Sequence, residues 1–172
     1  MEPSVSNWSN WEKFRAAQQE ILLPAGQVAH IPVSVRYVDV GEAHQGTILL
    51  MHGIPTWGYL YHAVIPPLVD AGYRVLAPDF LGHGWSDRRD RFDRSFQDQA
   101  RMIIALLAAL KLERVNLVGH DTGGAVALIL AIEHRDCVNR LVISNSVCYD
   151  RFDDDMLDFG HPLRWKTRPI AD

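Results

Sequence analysis

VGHDTGG, the stretch from Val118 to Gly124, decides the fold. It lies between a short apolar run typical of a buried strand and a longer one typical of a helix. A sharp turn from strand to helix strains its central residue and leaves room only for small residues two places before and after it. Gly119 and Gly123 provide that room, and Gly124 lets the helix approach the sheet. We therefore predict that Asp121 projects from an elbow at the carboxyl edge of a sheet, where ligands bind in open α/β folds.

The same aspartate has a simpler interpretation as a helix cap. Aspartate is a good N-cap residue, and the dipole of the helix that follows favours its carboxylate form. Gly124 occupies a place where a capped helix would have a good helix former. Together with the flanking glycines, this favours a reactive Asp121 over a cap.

A second motif, His52-Gly53-Ile54-Pro55, follows an apolar run typical of a strand. In such a loop the backbone N–H of Ile54 can point at the elbow residue from one side, and that of Thr122 from the other. The two are predicted to form an oxyanion hole. His52 is expected to brace its loop, and we predict a substrate pocket lined by His52, Pro55, Trp57, Trp85 and His120. A third motif, Asp79–Asp87, is interpreted as scaffold around the site.

Outward from the elbow, strand-like and helix-like patterns alternate, which predicts a mostly parallel sheet, with at least five parallel strands and with helices on both faces. Val33–Val40 alternates apolar and polar residues, as an antiparallel edge strand does. The other predicted strands are Thr47–Met51, Arg74–Ala77, Val115–Val118 and Val138–Ser144, and the predicted helices are Trp8–Leu23, Leu60–Ala71, Phe96–Leu110 and Ala125–His134. We divide the chain into an N-terminal strap or helix (1–30), a core (31–147) and the start of a lid or a tail (148–172).

Composition narrows the function classes. Of the 172 residues, 48% are hydrophobic and 22% charged, and the net charge of −4 gives no reason to expect nucleic acid or an anionic membrane as partner. The two cysteines, Cys137 and Cys148, form no disulfide framework, and the first residues lack a secretory pattern. The longest apolar runs are far shorter than the roughly 18 residues of a membrane span. We expect a cytoplasmic protein without metal or organic cofactor; its oligomeric state is not readable.

These motifs, in this order, resemble the α/β-hydrolase superfamily, and within it the branch that uses an aspartate nucleophile. The epoxide hydrolase patterns are matched by His52–Pro55, Gly82–Ser86 and Gly119–Gly124, and the run from Pro55 to Leu60 is similar to dehalogenases. The resemblance extends from about Val33 to about Asn145. It implies an α/β-hydrolase fold whose C-terminal strands, and most of whose lid, would lie beyond this chain.

An aspartate nucleophile indicates attack on a saturated carbon. A serine there would form an ether that water does not readily cleave, whereas Asp121 forms an ester whose carbonyl stays in the oxyanion hole. The expected substrate is therefore a small apolar epoxide or alkyl halide. Haloalkane dehalogenases often hold the halide with a Trp after the nucleophile and an Asn after the HG pair, where this chain has Thr122 and Ile54.

The rest of the catalytic machinery is not evident. In this fold the acid and the histidine follow the nucleophile, and only His134 and His161 do so here. His134 is at the far end of the helix, about 20 Å away at ~1.5 Å per residue. Asn145 stands where some dehalogenases carry the acid, so the acid and histidine are expected beyond Asp172 and the chain alone is expected to be inactive. The alternatives are a non-catalytic binding or scaffold protein, and an esterase, which would require serine at position 121.

Overall fold

A computed structural model, which describes Trp8 and residues 10–90 and 92–147, contains one six-stranded sheet flanked by helices. The strands are β1 (Gln19–Leu23), β2 (Val33–Val40), β3 (Thr47–Met51), β4 (Arg74–Pro78), β5 (Val115–His120) and β6 (Val138–Ser144). The helices are α1 (Trp11–Ala17), α2 (Ile65–Asp70), α3 (Phe96–Ala109) and α4 (Thr122–Glu133), with 3₁₀ turns at Gly58–Tyr61 and Arg135–Cys137. The strand order is β1-β2-β4-β3-β5-β6.

The ladders at one side of the sheet differ from the prediction. Parallel pairing joins β4, β3, β5 and β6, so four strands and not five are linked in this way. The strand β2 is antiparallel to β4, as expected, but it is internal because β1 pairs with its outer side. The predicted helix over Trp8–Leu23 is wrong beyond Ala17, since Gln19–Leu23 gains a full antiparallel ladder on β2.

Buried apolar side chains cover both faces of the sheet. All five residues of β3 are buried, as its continuous apolar run predicts. Leu49 and Met51 pack with α3 and α4 on one face, and Ile48 and Leu50 pack with α1 and α2 on the other. The alternation follows from the period of two residues along a strand, and it lets β3 pack against helices on both faces of the sheet.

Two helix starts show how local chemistry sets the boundaries. The predicted helix over Leu60–Ala71 divides into the 3₁₀ turn and α2, with Pro66 and Pro67 in the first turn of α2. A first turn needs no amide hydrogen there, so the prolines begin this helix instead of interrupting it. At α3, the Ser95 side chain accepts a hydrogen bond from the Asp98 N–H at 3.3 Å, as the capping pattern predicts.

The C-terminal edge strand β6 presents apolar side chains to solvent. Leu141, Val142 and Ile143 are 37 to 55% exposed. The predicted lid or tail, residues 148–172 with Cys148 and His161, lies outside the described residues, and the three-part division of the chain stays a prediction. Within the described ranges, no helix is long and apolar enough to cross a membrane.

Candidate active site at the strand–helix elbow

Asp121 occupies the junction between β5 and α4 in a conformation that few residues other than glycine adopt. Its φ is 54° and its ψ is −123°. A conformation of this kind costs about 1–3 kcal/mol and persists only where the surroundings impose it. The side chain makes no capping hydrogen bond to α4. The geometry is therefore that of the predicted elbow and not that of a helix cap.

Glycines make this elbow possible by allowing close backbone contacts. A Cβ atom on Gly119 would lie 2.5 Å from the carbonyl oxygen of Gly123, and one on Gly123 would lie 2.2 Å from that of Met51. A Cβ atom on Gly53 would lie 2.4 Å from Oδ1 of Asp121. Larger residues at these places would separate β5, α4 and the HG loop, so the glycine spacing has a direct steric cause.

Hydrogen bonds hold both the backbone and the carboxylate of Asp121. Its N–H donates to Ser144 O at 3.3 Å, and its carbonyl accepts from Gly124 N and from Ser146 Oγ, each at 3.0 Å. The Ile54 N–H donates to Oδ1 at 3.0 Å. This last bond brings the HG loop and the elbow together, as the sequence predicts. The contribution of Ser146 was not predicted.

Thr122 is the first residue of α4, and its backbone N–H belongs to the same peptide group as the Asp121 carbonyl. The first N–H groups of a helix have no partner within the helix. Over residues 10–90 and 92–147, no acceptor is hydrogen-bonded to the Thr122 N–H. It is therefore free to bind an anion beside Asp121, while its role as an oxyanion-hole donor remains a proposal.

His52 braces the HG loop from below. Its Nε2 accepts from the Phe80 N–H at 2.9 Å, so Nδ1 carries the proton and donates to Gly53 O at 2.9 Å. Burial lowers the pKa of His52 to about 4, which keeps the ring neutral. The side chain is fully buried and both ring nitrogens are engaged. The bracing role that the sequence predicts agrees with these two hydrogen bonds, whereas a place for His52 in the substrate pocket stays a prediction.

The other predicted pocket residues separate into two groups. His120 donates from Nδ1 to Ser144 O at 3.0 Å beside the elbow, and Pro55, after a cis Ile54–Pro55 bond, is exposed on the HG loop. Trp57 packs edge-on against Phe14 of α1, with ring centroids 5.5 Å apart. Trp85 is 40% exposed, with the Arg15 guanidinium 3.5 Å from its ring centroid. Both tryptophans thus pack against α1, and neither of these contacts involves Asp121. Their place in the substrate pocket stays a prediction.

Asp79, interpreted from sequence only as scaffold, is a fully buried hydrogen-bonding centre. Its Oδ1 accepts from Gly58 N at 2.9 Å, and its Oδ2 accepts from Gln18 Nε2 at 2.9 Å and Trp85 N at 2.8 Å. Burial raises the pKa of this carboxyl, and the three donors act in the opposite direction. The carboxyl joins the segment after α1 to the loops after β3 and β4. A lone Asp before a glycine-rich loop was the one sequence signal for it.

The residues that follow the elbow provide no acid–base pair near Asp121 within the described ranges. His134 caps the opposite end of α4 and is exposed. Asn145 ends β6 with a positive φ of 44°, and its Oδ1 accepts from Ser144 Oγ at 3.2 Å. His161 lies beyond the described residues. Within the described ranges, the elbow therefore combines the Asp121 carboxylate with the Ile54 N–H, and neither His134 nor Asn145 lies where it would complete an acid–base pair.

Comparisons with known proteins concern the fold and the family of the chain. Residues 46–171 match the family model described as the α/β hydrolase fold. The chain is 43% identical over 115 residues to a haloalkane dehalogenase of Mycolicibacterium paratuberculosis, an alignment that covers 66% of this chain and 38% of that protein. The chain therefore spans about 38% of the length of the curated relative it matches.

Solved structures of hydrolases share the fold of this chain. A probable hydrolytic enzyme from Pseudomonas aeruginosa PAO1 superposes with a TM-score of 0.69 at 35% identity, over 76% of this chain and 42% of that one. A tetrameric haloalkane dehalogenase from Paraglaciecola agarilytica NO2 superposes with a TM-score of 0.70 at 28% identity, over 83% of this chain and 49% of that one.

Proposed function

Since the chain belongs to the α/β-hydrolase fold family, we propose that it carries the nucleophile of a hydrolase that cleaves carbon–halogen bonds at a saturated carbon. Asp121 is the nucleophile, and the backbone N–H groups of Ile54 and Thr122 are the oxyanion hole. The observation that carries the proposal is the 3.0 Å hydrogen bond from Ile54 N–H to Oδ1 of the strained Asp121. The similarity to haloalkane dehalogenases supports a small organic halide as substrate.

The two carboxylate oxygens of Asp121 have different environments and different roles. Oδ1 is held by the Ile54 N–H, whereas no residue of the described ranges donates a hydrogen bond to Oδ2. In the first step, an Oδ2 lone pair forms a bond to the substrate carbon, and the halide leaves with the electron pair of the broken bond. The product of this step is an alkyl ester whose carbonyl oxygen is Oδ1.

Hydrolysis of that ester uses the oxyanion hole. Water adds to Cγ of Asp121 and loses a proton, and the negative charge develops on Oδ1 beside the Ile54 and Thr122 N–H groups. When the tetrahedral intermediate collapses, the alcohol leaves with Oδ2 and takes up a proton. The carboxylate is then restored with one oxygen from solvent. An aspartate, unlike a serine, thus gives an intermediate that this site can cleave.

An epoxide is a second candidate substrate. The attack by Oδ2 is the same, but the leaving oxygen remains attached to the product. This candidate is favoured by Thr122 and Ile54, which supply no side-chain N–H for a departing halide, and by the HGxP pattern of His52–Pro55. Haloalkanes and epoxides therefore belong in the same substrate panel.

The test is to follow intact mass and product when the chain is incubated with short haloalkanes and epoxides. We expect a covalent adduct that peptide mapping places on Asp121, and a reaction in ¹⁸O-labelled water should place ¹⁸O in the Asp121 carboxylate after the ester is cleaved. Asp121→Asn should form no adduct. Asp70→Asn, which alters an exposed aspartate, is the matched control and should react as the native chain does.

Two results would contradict the proposal. One is the absence of both adduct and product with the whole panel at reagent concentrations in the millimolar range. The other is product formation that survives Asp121→Asn. Preference for haloalkanes over epoxides would select between the two substrate classes.

A further inference from the structure

The end of β6 holds Asp121 at both of the peptide groups that flank its Cα atom. The first peptide group is held by its N–H, which donates to Ser144 O at 3.3 Å. The second is held by its carbonyl, which accepts from Ser146 Oγ and from the Gly124 N–H, each at 3.0 Å. Because rotation of these two groups defines φ and ψ, the two serines hold the unusual conformation of Asp121 from outside the elbow, and the Gly124 N–H holds it from within.

Gly124 makes the contact with Ser146 possible. A Cβ atom on Gly124 would lie 2.1 Å from Ser146 Oγ and 2.5 Å from Ser146 Cβ. The sequence suggested that this glycine serves the approach of the helix to the sheet. In the structure, glycine is required at position 124 because the side chain of Ser146 fills the space where a Cβ atom would lie.

The bond to the Asp121 carbonyl also determines where the Thr122 N–H points. In a trans peptide group the C=O and the N–H lie in one plane and point in opposite directions. A donor that holds the Asp121 carbonyl therefore also holds the Thr122 N–H on the other side of the same plane. A hydrogen bond to the carbonyl also polarises the group, which makes the N–H a stronger donor.

We propose that Ser146 is a positioning residue of the oxyanion hole, whose hydroxyl orients the Asp121–Thr122 peptide group so that the Thr122 N–H is directed at the developing charge on Oδ1. This inference rests on the proposed function of Asp121 and adds a residue to it. The hydroxyl carries one proton, and Val147 O also lies 3.0 Å from Oγ. Donation to Asp121 O is the arrangement that the hole requires.

The proposal predicts different effects on the two chemical steps. The hole stabilises charge that develops on Oδ1 only when water attacks the ester, whereas alkylation removes charge from that oxygen. In Ser146→Ala we expect the alkyl ester to decay about tenfold more slowly, less than the roughly 10²–10³-fold effect of deleting a hole donor. The alkylation rate should stay within about twofold of the native chain. A general loosening of the elbow would slow both steps.

The experiment measures both rates by intact mass: adduct formation with a reactive haloalkane, and adduct decay after the excess reagent is removed. Ser146→Cys keeps the shape with a weaker donor and should lie between the native chain and Ser146→Ala. It also serves as the test variant if Ser146→Ala does not fold. Ser95→Ala, which removes the cap of α3 far along the chain, controls for a simple loss of stability.

A second readout does not depend on chemistry. The Thr122 amide resonance in an ¹⁵N-labelled chain should move in Ser146→Ala and not in Ser95→Ala. If no adduct forms, or if the native adduct does not decay, the resonance decides on Ser146 by itself, and only the proposed function is in question. Where the native adduct decays, an equal decay rate in Ser146→Ala would overturn the role of Ser146, and an unmoved Thr122 resonance would overturn it in every case.

Discussion

Substituting alanine for either of two adjacent glycines in α4 tests the packing of the elbow. In Gly123→Ala the new Cβ atom would lie 2.2 Å from Met51 O and 2.5 Å from His52 O, which are backbone atoms at the end of the central strand. In Gly124→Ala it would meet Ser146, whose side chain can rotate away. The two changes add the same methyl group to neighbouring positions, but the methyl group meets backbone atoms in the first case and a side chain in the second.

The expected changes in the free energy of unfolding follow from the atoms that each methyl group meets. Lengthening a 2.2 Å contact to the ordinary 3.4 Å requires α4 to move from β3 by about 1.2 Å, and overpacking typically costs about 1–3 kcal/mol. Because backbone cannot yield locally, we expect the clash in Gly123→Ala to outweigh the roughly 1 kcal/mol that alanine adds in helix propensity, and to leave a net loss of about 3 kcal/mol in the free energy of unfolding. In Gly124→Ala, loss of the Ser146 bond costs about 1 kcal/mol. The higher helix propensity of alanine, worth about 1 kcal/mol, offsets this cost.

The assay is urea unfolding followed by far-ultraviolet circular dichroism, with thermal unfolding beside it. A loss of about 3 kcal/mol corresponds to a Tm lower by roughly 6–12 °C for a domain of this size. Gly124→Ala should remain within about 1 kcal/mol of the native chain, from the same two terms. If Gly123→Ala is as stable as the native chain, or is more stable than Gly124→Ala, the close approach of α4 to β3 is not what requires glycine.

Three further predictions concern buried and paired charges. Burial lowers the pKa of His52 to about 4, so between pH 6.5 and pH 4 the unfolded chain binds a proton that the folded chain does not bind. The free energy of unfolding should therefore fall by about 3 kcal/mol as the pH is lowered across this range. His52→Gln should remove this part of the pH dependence in urea titrations. Asp79→Asn places an amide nitrogen against a donor and should cost about 1–3 kcal/mol at pH 7. Because the pKa of Asp79 is raised, the folded chain binds its proton first, so the native chain should gain stability over Asp79→Asn as pH falls through that pKa. The stacking of Arg15 on Trp85 should give a coupling of about 0.5–1 kcal/mol in a double-mutant cycle with Arg15→Met and Trp85→Leu.

The predictable parts of the fold are those determined by interactions between residues a few positions apart in the sequence. The apolar run Thr47–Met51 has no polar residue to expose beyond its first, so it predicts a strand buried on both faces. The glycines around Asp121 predict the elbow, because the steric demand of the turn falls on residues two places away. Capping of α3 by Ser95 depends on a residue three places along.

The parts that were missed depend on partners distant in the sequence. Gln19–Leu23 is a strand because it pairs with the edge of β2. The residues of the segment itself do not indicate this partner. Asp79 looks like an ordinary loop residue until Gln18, 61 positions earlier, is known to donate to it. Ser146 follows a strand end in a way that fits many loops, and its contact with the Asp121 carbonyl spans 25 positions.

None of the bonds that hold the backbone of the elbow uses a side-chain atom of residue 121. The N–H is bound by Ser144 O, and the carbonyl is bound by Gly124 N and Ser146 Oγ. The residue at this position can thus be exchanged for serine or cysteine without removing any of these bonds. A substitution at this position therefore changes the reactive group that the elbow presents, while the bonds that impose its backbone conformation stay in place.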